Sequence, residues 1–302
     1  MNFEIAGIVI SPWIPIFWGV LVGFVFSTVG AAGGILASVG LISVLNIQNP
    51  NLVKPMAQML TLVTPIIAVP LYYKQCRLVY SLALILGAGG IVGAVIGSSL
   101  SVNHLADMRT FKPVFAILVL LIAAQIAWQL LRRKQKSSAH SDRASSNFEQ
   151  LIDHAGDPCS IGVKHKKYSI HKISFTFGNE NFTFNPLLPF FTGMGIAVLS
   201  SALGVGGGFL LVPFMSIVMR LPMFIVAATS ALAIAIHSVT SIANYMRLGI
   251  ELDFVLLSLL LAGTAFGSFL GPFLSKYLHE TWLRGILFLV LIIIGLRYFG
   301  IF

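Results

Sequence analysis

Two glycine-rich interruptions carry most of the chemical potential of this 302-residue chain. The first reads Ser27-Thr28-Val29-Gly30-Ala31-Ala32-Gly33-Gly34, the second Ser200-Ser201-Ala202-Leu203-Gly204-Val205-Gly206-Gly207-Gly208. Each interrupts an apolar run. Glycine costs roughly 1 kcal/mol relative to alanine in a helix interior, so such clusters favour unwinding or a turn. Unwound backbone bares N–H groups that lipid cannot satisfy, and it is tolerated only where protein buries it or where it lines a cavity. A helix that restarts after the break presents free amides and the positive end of its dipole. With the hydroxyls of Ser27, Thr28, Ser200 and Ser201 beside them, these donors suit a small oxyanion without any buried Lys or Arg. Tight turns between packed helices are the plainer alternative, and the residues leave it open. A phosphate-binding P-loop is excluded, because no Gly-Lys-Ser/Thr follows either cluster.

Further polar residues fall inside apolar runs: Gln58, Thr61 and Thr64 in one, then Thr229, Ser230, His237, Ser238, Thr240, Ser241 and Asn244 in another. On a 3.6-residue period Ser230, His237, Ser241 and Asn244 share one face, a candidate cavity wall or a set of interhelical hydrogen bonds. His237 is the single histidine deep in a run. Its ordinary pKa near 6.5 makes it a candidate carrier of a coupled proton, or else a neutral packing residue. No Asp or Glu lies deep in any run, which argues against an acid–base enzyme. The two cysteines, Cys76 and Cys159, form no CxxC or CxxH pair, so neither a metal site nor a cofactor is expected.

The elements that hold these residues are membrane helices. Hydrophobic residues make up 57% of the chain and charged residues only 10%, against roughly 25% charged in soluble domains. Mean hydropathy is +0.92. Five apolar runs, at about 12–29, 33–46, 54–73, 78–100 and 113–131, precede a polar stretch at 132–186. Five more follow, at about 186–203, 205–221, 222–245, 254–275 and 282–300. The last three of each set are long enough to span roughly 30 Å of hydrocarbon. The first two of each set are short, and each pair reads as two short spans or as one hairpin that returns to its own side. The expected organisation is a membrane region at 1–131, a polar linker at 132–186 and a second membrane region at 187–302.

The net charge of +9 does not point to nucleic acid, since nine of the nineteen Lys and Arg lie in the linker beside five acids. Placing the linker in the cytoplasm leaves fourteen Lys and Arg inside and five outside (Lys54, Arg109, Lys112, Arg247 and Arg297). The inverse placement reverses the tally, so both termini are expected outside. Lys74 and Arg77 at one set of span ends and Arg247 at the other are placed to attract anions, or simply to set orientation. With both cysteines on the cytoplasmic side, a disulfide is not expected. Residues 137–172 are expected to be mobile. Residues 174–184 alternate Phe175, Phe177, Phe182 and Phe184 around Gly-Asn-Glu-Asn, which predicts a hairpin.

The chain also repeats itself. Gly30, Gly33 and Gly34 match Gly204, Gly207 and Gly208 at an offset of 174. At that offset Gly89-x-x-x-Gly93-x-x-x-Gly97 meets Gly263-x-x-x-Gly267-x-x-x-Gly271, and at 172 Ala57-Gln58 meets Thr229-Ser230 and Tyr73 meets Tyr245. The GxxxG runs read as close helix packing. One half starts outside and the other inside, so the expected fold is an all-α integral membrane protein. It would be built of two inverted-topology repeats of four or five helical segments, each with a discontinuous Gly-rich helix.

Gly204-Val-Gly206-Gly207-Gly208-Phe-Leu-Leu-Val-Pro213, Ala228-Thr229-Ser230-Ala231-Leu232 and Asn244-Tyr245-x-x-x-Gly249 resemble the TauE/SafE sulfite exporter family over about 18–131 and 187–302. The first half carries a looser copy, with Ala57-Gln58 where the family has Thr-Ser. The resemblance implies an inner- or plasma-membrane permease, not an enzyme, that exports sulfite, a sulfonate such as sulfoacetate, or a related organic anion. Alternating access about a midplane site is the expected mechanism. The expected binding set is Ser27, Thr28, Gly30, Gly33, Gly34, Gln58, Ser201, Gly204, Gly206, Gly207, Gly208, Thr229, Ser230 and Asn244. The expected partners are a small anion and the lipid bilayer, with a homo-oligomer left open. A passive anion channel and a non-transport membrane enzyme or assembly factor are the competing readings.

Overall fold

The computed structural model describes residues 1–29, 33–131, 139–153, 159–168, 172–275 and 280–299. Its elements, in order, are β1 (Asn2–Phe3), β2 (Ile8–Val9), α1 (Trp13–Val29), α2 (Gly33–Val39), a π-helical turn at Gly40–Val44, α3 (Pro50–Lys74), α4 (Tyr80–His104), α5 (Met108–Leu131) and α6 (Ala139–Asp153). Then come β3 (Lys164–Tyr168), β4 (Ile173–Phe177), β5 (Glu180–Phe184), α7 (Leu187–Leu203), α8 (Gly208–Pro213), a π-helical turn at Phe214–Val218, α9 (Met223–Arg247), α10 (Phe254–Ser275) and α11 (Glu280–Tyr298). Among the described residues four helices are long and apolar enough to cross a membrane: α3, α4, the Met108–Trp128 part of α5, and α9. The chain is an all-α membrane protein with a small β-structured insert.

Local signals set several boundaries. Asn49 caps α3 by accepting from the Asn51 amide at 3.0 Å, with Pro50 at the first helical position, where its missing N–H costs nothing. Asp253 opens α10. One carboxylate oxygen accepts from Leu256 N at 3.0 Å and the other from Ala6 N at 3.2 Å, tying the N-terminal β-hairpin to that end of the bundle.

Glycines decide which helices touch. A Cβ on Gly89, Gly93 or Gly97 of α4 would overlap the carbonyl oxygen of Phe190, Met194 or Val198 of α7. A Cβ on Gly263 or Gly267 of α10 would likewise overlap the carbonyl oxygen of Ile16 or Val20 of α1. Each α10–α1 contact repeats an α4–α7 contact 174 residues away. Gly19 against Leu260 and Gly193 against Leu86 repeat in the same way. Backbones this close are what small-residue packing provides in lipid.

These contacts make α1 run alongside α10, and α7 alongside α4. The chain then turns back after each. Ser43, near the end of the first return, hydrogen-bonds Tyr298 at the end of α11. Met215 and Leu221, near the end of the second, pack in one core with Val79 and Leu82 at the start of α4. Both short pairs are therefore hairpins that leave by the end at which they start, which selects the second of the two arrangements left open by the sequence.

The linker departs from expectation. Its described parts form helix α6 and an antiparallel sheet ordered β3-β4-β5. The predicted hairpin is present, with Phe175 opposite Phe182 and Ile173 opposite Phe184. Its turn is Gly178-Asn179, both at positive φ (58° and 65°), as two-residue hairpin turns require. Residues 139–153 and 164–168 are ordered because α6 lays Ala144 and Phe148, one turn apart, onto the sheet. Phe148 meets the rings of Phe177 at 4.8 Å and Phe224 at 5.3 Å. A few well-placed aromatics supply a core that mean composition conceals.

The disulfide expectation is also corrected: Cys76 and Cys159 are bonded, with Cα atoms 5.1 Å apart. Compartment reasoning alone left out the geometry that joins them. Val163 N donates to Cys76 O at 2.7 Å, fixing the segment before β3 against the corner between α3 and α4.

Candidate functional site

Helix α7 ends at the second glycine cluster. Gly204, Gly206 and Gly207 have φ of 75°, 80° and 67°, a left-handed region that residues with a Cβ enter at a cost of about 1–2 kcal/mol. A helix that stops inside a bundle leaves carbonyls without helical partners. Four other helices donate to the carbonyls at this end, Ser200 O among them although it also accepts from Gly204 N. Gln58 Nε2 of α3 donates to Ser200 O at 3.2 Å, and Tyr245 Oη of α9 to Ser201 O at 2.7 Å. Ser101 Oγ of α4 donates to Ala202 O at 2.7 Å, and Ser38 Oγ of α2 to Gly204 O at 3.0 Å.

The same place joins the two hairpins. A Cβ on Gly34 would lie 2.9 Å from both Thr61 Cγ2 and the Val205 carbonyl carbon, and nearer still to the Val205 oxygen. With the Ser38 bond, this puts the start of α2 directly against the unwound end of α7. Gln125 of α5 adds a bond from Nε2 to Phe209 O at 3.1 Å, holding α8 from the other side.

Ser200 O, Ser201 O, Ala202 O and Gly204 O all have partners at this break, but two of its amides do not. Gly204 N and Val205 N bond Ser200 O, and Gly208 N bonds Gly206 O, whereas Gly206 N and Gly207 N make no backbone bond. Beside them, Gln58 Oε1, Ser200 Oγ and both ring nitrogens of His237 are buried without a partner, and so, elsewhere on α7 and α9, are Ser201 Oγ, Ser238 Oγ and Ser241 Oγ. A Cβ on Gly207 would stand 3.0 Å from His237 Nε2 and 3.2 Å from Ser200 Oγ, so ring and hydroxyl face that glycine. Thr61 Oγ1 faces Gly206 in the same sense at 2.8 Å, while donating to Gln58 O. An unpaired buried polar group costs about 1–3 kcal/mol. Unpaired buried polar atoms grouped beside open amides fit a polar occupant.

The predicted site residues separate into groups. Gln58, Ser201, Gly204, Gly206, Gly207, Gly208 and Gly34 gather at the junction, and His237 joins them. Ser27 and Thr28 instead bond Phe24 O of their own helix at 3.0 and 2.8 Å. Gly33 lies against Phe26, and Gly30 falls outside the described residues. Thr229 accepts from Val79 N at 3.3 Å, and Ser230 donates to Ala227 O at 3.3 Å. Thr229 is eight residues, about 12 Å, along α9 from His237. Asn244, about 10 Å the other way, donates to Ser98 Oγ at 2.7 Å and Ser99 Oγ at 3.1 Å, which fastens α9 to α4.

Contributors absent from the predicted set include Ser38, Thr61, Ser101, Gln125, Ser200, Tyr245 and Lys54. Lys54 is fully buried, with its backbone against Gly204. Arg77 lies outside the spans, its guanidinium 4.9 Å from the Tyr72 ring and 4.7 Å from that of Phe224. Burial moves its pKa down from the ordinary arginine value.

Comparison with known proteins supplies the family. The chain is 25% identical over 298 residues to the "Probable membrane transporter protein YunE" of Bacillus subtilis (strain 168), which covers 94% of this chain and 96% of that protein. No solved structure matches. Residues 15–298 match the family described as Sulfite exporter TauE/SafE, and that match spans both hairpins, all the long helices and the junction just described. The chain belongs to the TauE/SafE sulfite exporter family of membrane transporters.

Proposed function

We propose that this protein exports a small oxyanion, sulfite or an organosulfonate such as sulfoacetate, by alternating access about the junction of its two hairpins. One observation carries the reading: two open amides, at Gly206 and Gly207, stand beside buried Ser200, Gln58 and His237 atoms that have no partner. Donors fixed in a water-poor site hold an anion well, because desolvation strengthens each charge-assisted bond. The hydroxyls, the two amides and one imidazole N–H would surround the cargo oxygens. His237 is the group that would hold a coupled proton. The family's name, sulfite exporter, supports the class of cargo, and the relative's, membrane transporter, supports transport.

The two halves are read as inverted repeats with the cargo at the midplane. The glycine contacts that recur at an offset of 174 support this. So do the two hairpins, which start at opposite ends of the bundle. In such a fold the halves rock against each other around the site. The linker is assigned to the cytoplasm and both termini to the outside of the cell membrane, on the tally of Lys and Arg. The Cys76–Cys159 bridge weighs against that orientation, since the cytosol keeps thiols reduced. A bridge found intact in cells would reverse it.

Flux of radiolabelled sulfite in proteoliposomes tests the function. Saturable transport that is lost in Gly206→Leu and Gly207→Leu variants is the expected result. Parental flux in inserted variants would overturn the site. A voltage-driven conductance without saturation would make the protein a channel.

A further inference from the structure

We infer that Lys54 is the resident positive charge of the anion route, a binding residue one helical turn beyond the junction. The inference rests on the anion reading above. Lys54 lies in the second turn of α3 and is fully buried. Its Nζ donates to Leu105 O at 2.6 Å and to Asn51 Oδ1 at 3.1 Å, and sits 5.0 Å from the Phe111 ring centre. None of the three carries a full charge, although Leu105 is the C-cap of α4 and its carbonyl lies at the negative end of that helix, and among the described residues Lys54 makes no ion pair. A buried ammonium with no counter-charge is among the most expensive groups a fold can hold. A chain that merely needed to pack this position would use an apolar residue. The position 172 residues on does so: it is Val226, also fully buried.

The ammonium stands next to the junction rather than at a remote corner. The Lys54 backbone is the nearest neighbour of Gly204, and a Cβ there would lie 2.6 Å from Lys54 Cα. Gln58, one turn along the same face of α3, reaches Ser200 O. Leu105, which holds the ammonium, is one turn beyond Ser101, which caps Ala202. The order along the bundle is therefore open amides and hydroxyls first, ammonium second, and the corner between α4 and α5 last. An anion moving between the junction and that corner passes Lys54, the one fully buried cation among the described residues. The long, flexible side chain lets Nζ trade the Leu105 carbonyl for a cargo oxygen. A neutral tether is easily exchanged for an anion; a carboxylate would not be.

The test uses the full chain in proteoliposomes with sodium sulfite as probe. It measures KM, kcat and the sulfite-induced rise in Tm for the parent, Lys54→Gln, Lys54→Arg and Asn51→Asp. Lys54→Gln is expected to raise KM at least tenfold and to abolish the sulfite-induced rise. Lys54→Arg is expected to stay within about threefold of the parent, because it keeps the charge. Asn51→Asp gives the ammonium a permanent partner. It is expected to raise KM at least tenfold while leaving the unliganded Tm equal or higher, a split that loss of packing does not produce. A folded Lys54→Gln with parental KM overturns the inference. Where Lys54→Gln does not fold, parental KM in Asn51→Asp overturns it. A parent that neither transports nor is stabilised by sulfite, sulfoacetate or taurine removes the anion reading itself, and this inference with it. A transporting parent with unaffected variants removes the role of Lys54 alone.

Discussion

Gly34→Ala probes the contact on which the site depends. The added methyl would lie 2.9 Å from Thr61 Cγ2 and from the Val205 carbonyl carbon, and closer to the Val205 oxygen. Carbon atoms rest at about 3.5–4.0 Å, so the start of α2 and the unwound end of α7 must part by about 1 Å. Overpacking of this kind costs about 1–3 kcal/mol. Alanine in a helix returns about 1 kcal/mol of that. The net loss of stability is therefore about 0–2 kcal/mol, small enough for the protein to fold. Function should suffer far more, because a misplacement of about 1 Å in a binding constellation costs about a hundredfold. The assay pairs sulfite flux in proteoliposomes with thermal unfolding in detergent. Gly195→Ala on the exposed face of α7 is the control, since nothing lies within 4 Å of its added Cβ. Flux down by at least tenfold with a modest change in Tm is expected for Gly34→Ala, and neither change for Gly195→Ala. Parental flux in Gly34→Ala would refute the claim that the two hairpin tips form one site.

His237→Leu and Ser241→Ala remove buried polar atoms that have no partner. Thermal unfolding should show each neutral, or stabilising by about 1–3 kcal/mol, while sulfite flux falls at least tenfold in His237→Leu; a clear drop in Tm would mean these atoms are structurally engaged. Gly93→Ala and Gly267→Ala place matching methyls against the carbonyls of Met194 and Val20. Chemical unfolding should show similar net losses of about 0–2 kcal/mol for both, after the helix gain of alanine; a large loss at one and none at the other would contradict the equivalence of the two halves. Cys159→Ser opens the bridge to Cys76, and the linker should lose about 2–4 kcal/mol of local stability, read as faster limited proteolysis. The parent should show a mobility change on non-reducing gels that Cys159→Ser lacks, and identical mobility would mean the bridge does not form.

Much of the architecture is written in periodicity. The apolar runs match the helices to within a few residues, and the recurring glycines mark the α4–α7 and α1–α10 contacts, because only glycine permits backbones that close. The predicted site was legible where backbone conformation demanded a residue type, at Gly204, Gly206 and Gly207. It was not legible where a side chain's partner comes from a distant element. Thr229 and Asn244 have the right chemistry and the right helix, yet contacts with α4 engage them. Ser27 and Thr28 turn their hydroxyls back on their own helix, which no spacing rule forbids. The site is also less symmetric than the repeat: His237 corresponds, at the offset of 172, to Pro65, and Lys54 to Val226. Charge counting assigned Lys54 to a span end because it follows a polar segment. Its burial depends on the corner between α4 and α5 closing over it, fifty residues away in sequence. The bridge between Cys76 and Cys159 is a tertiary fact of the same kind.

The central claim is that an anion sits where the two hairpins meet. A structure determined in the presence of sulfite, located by the anomalous signal of its sulfur, tests this most directly. The account predicts one sulfur within hydrogen-bonding reach, through its oxygens, of the Gly206 and Gly207 amides, Ser200 and His237. A sulfur bound elsewhere, at Arg77 for example, with the junction unchanged and empty, would contradict it.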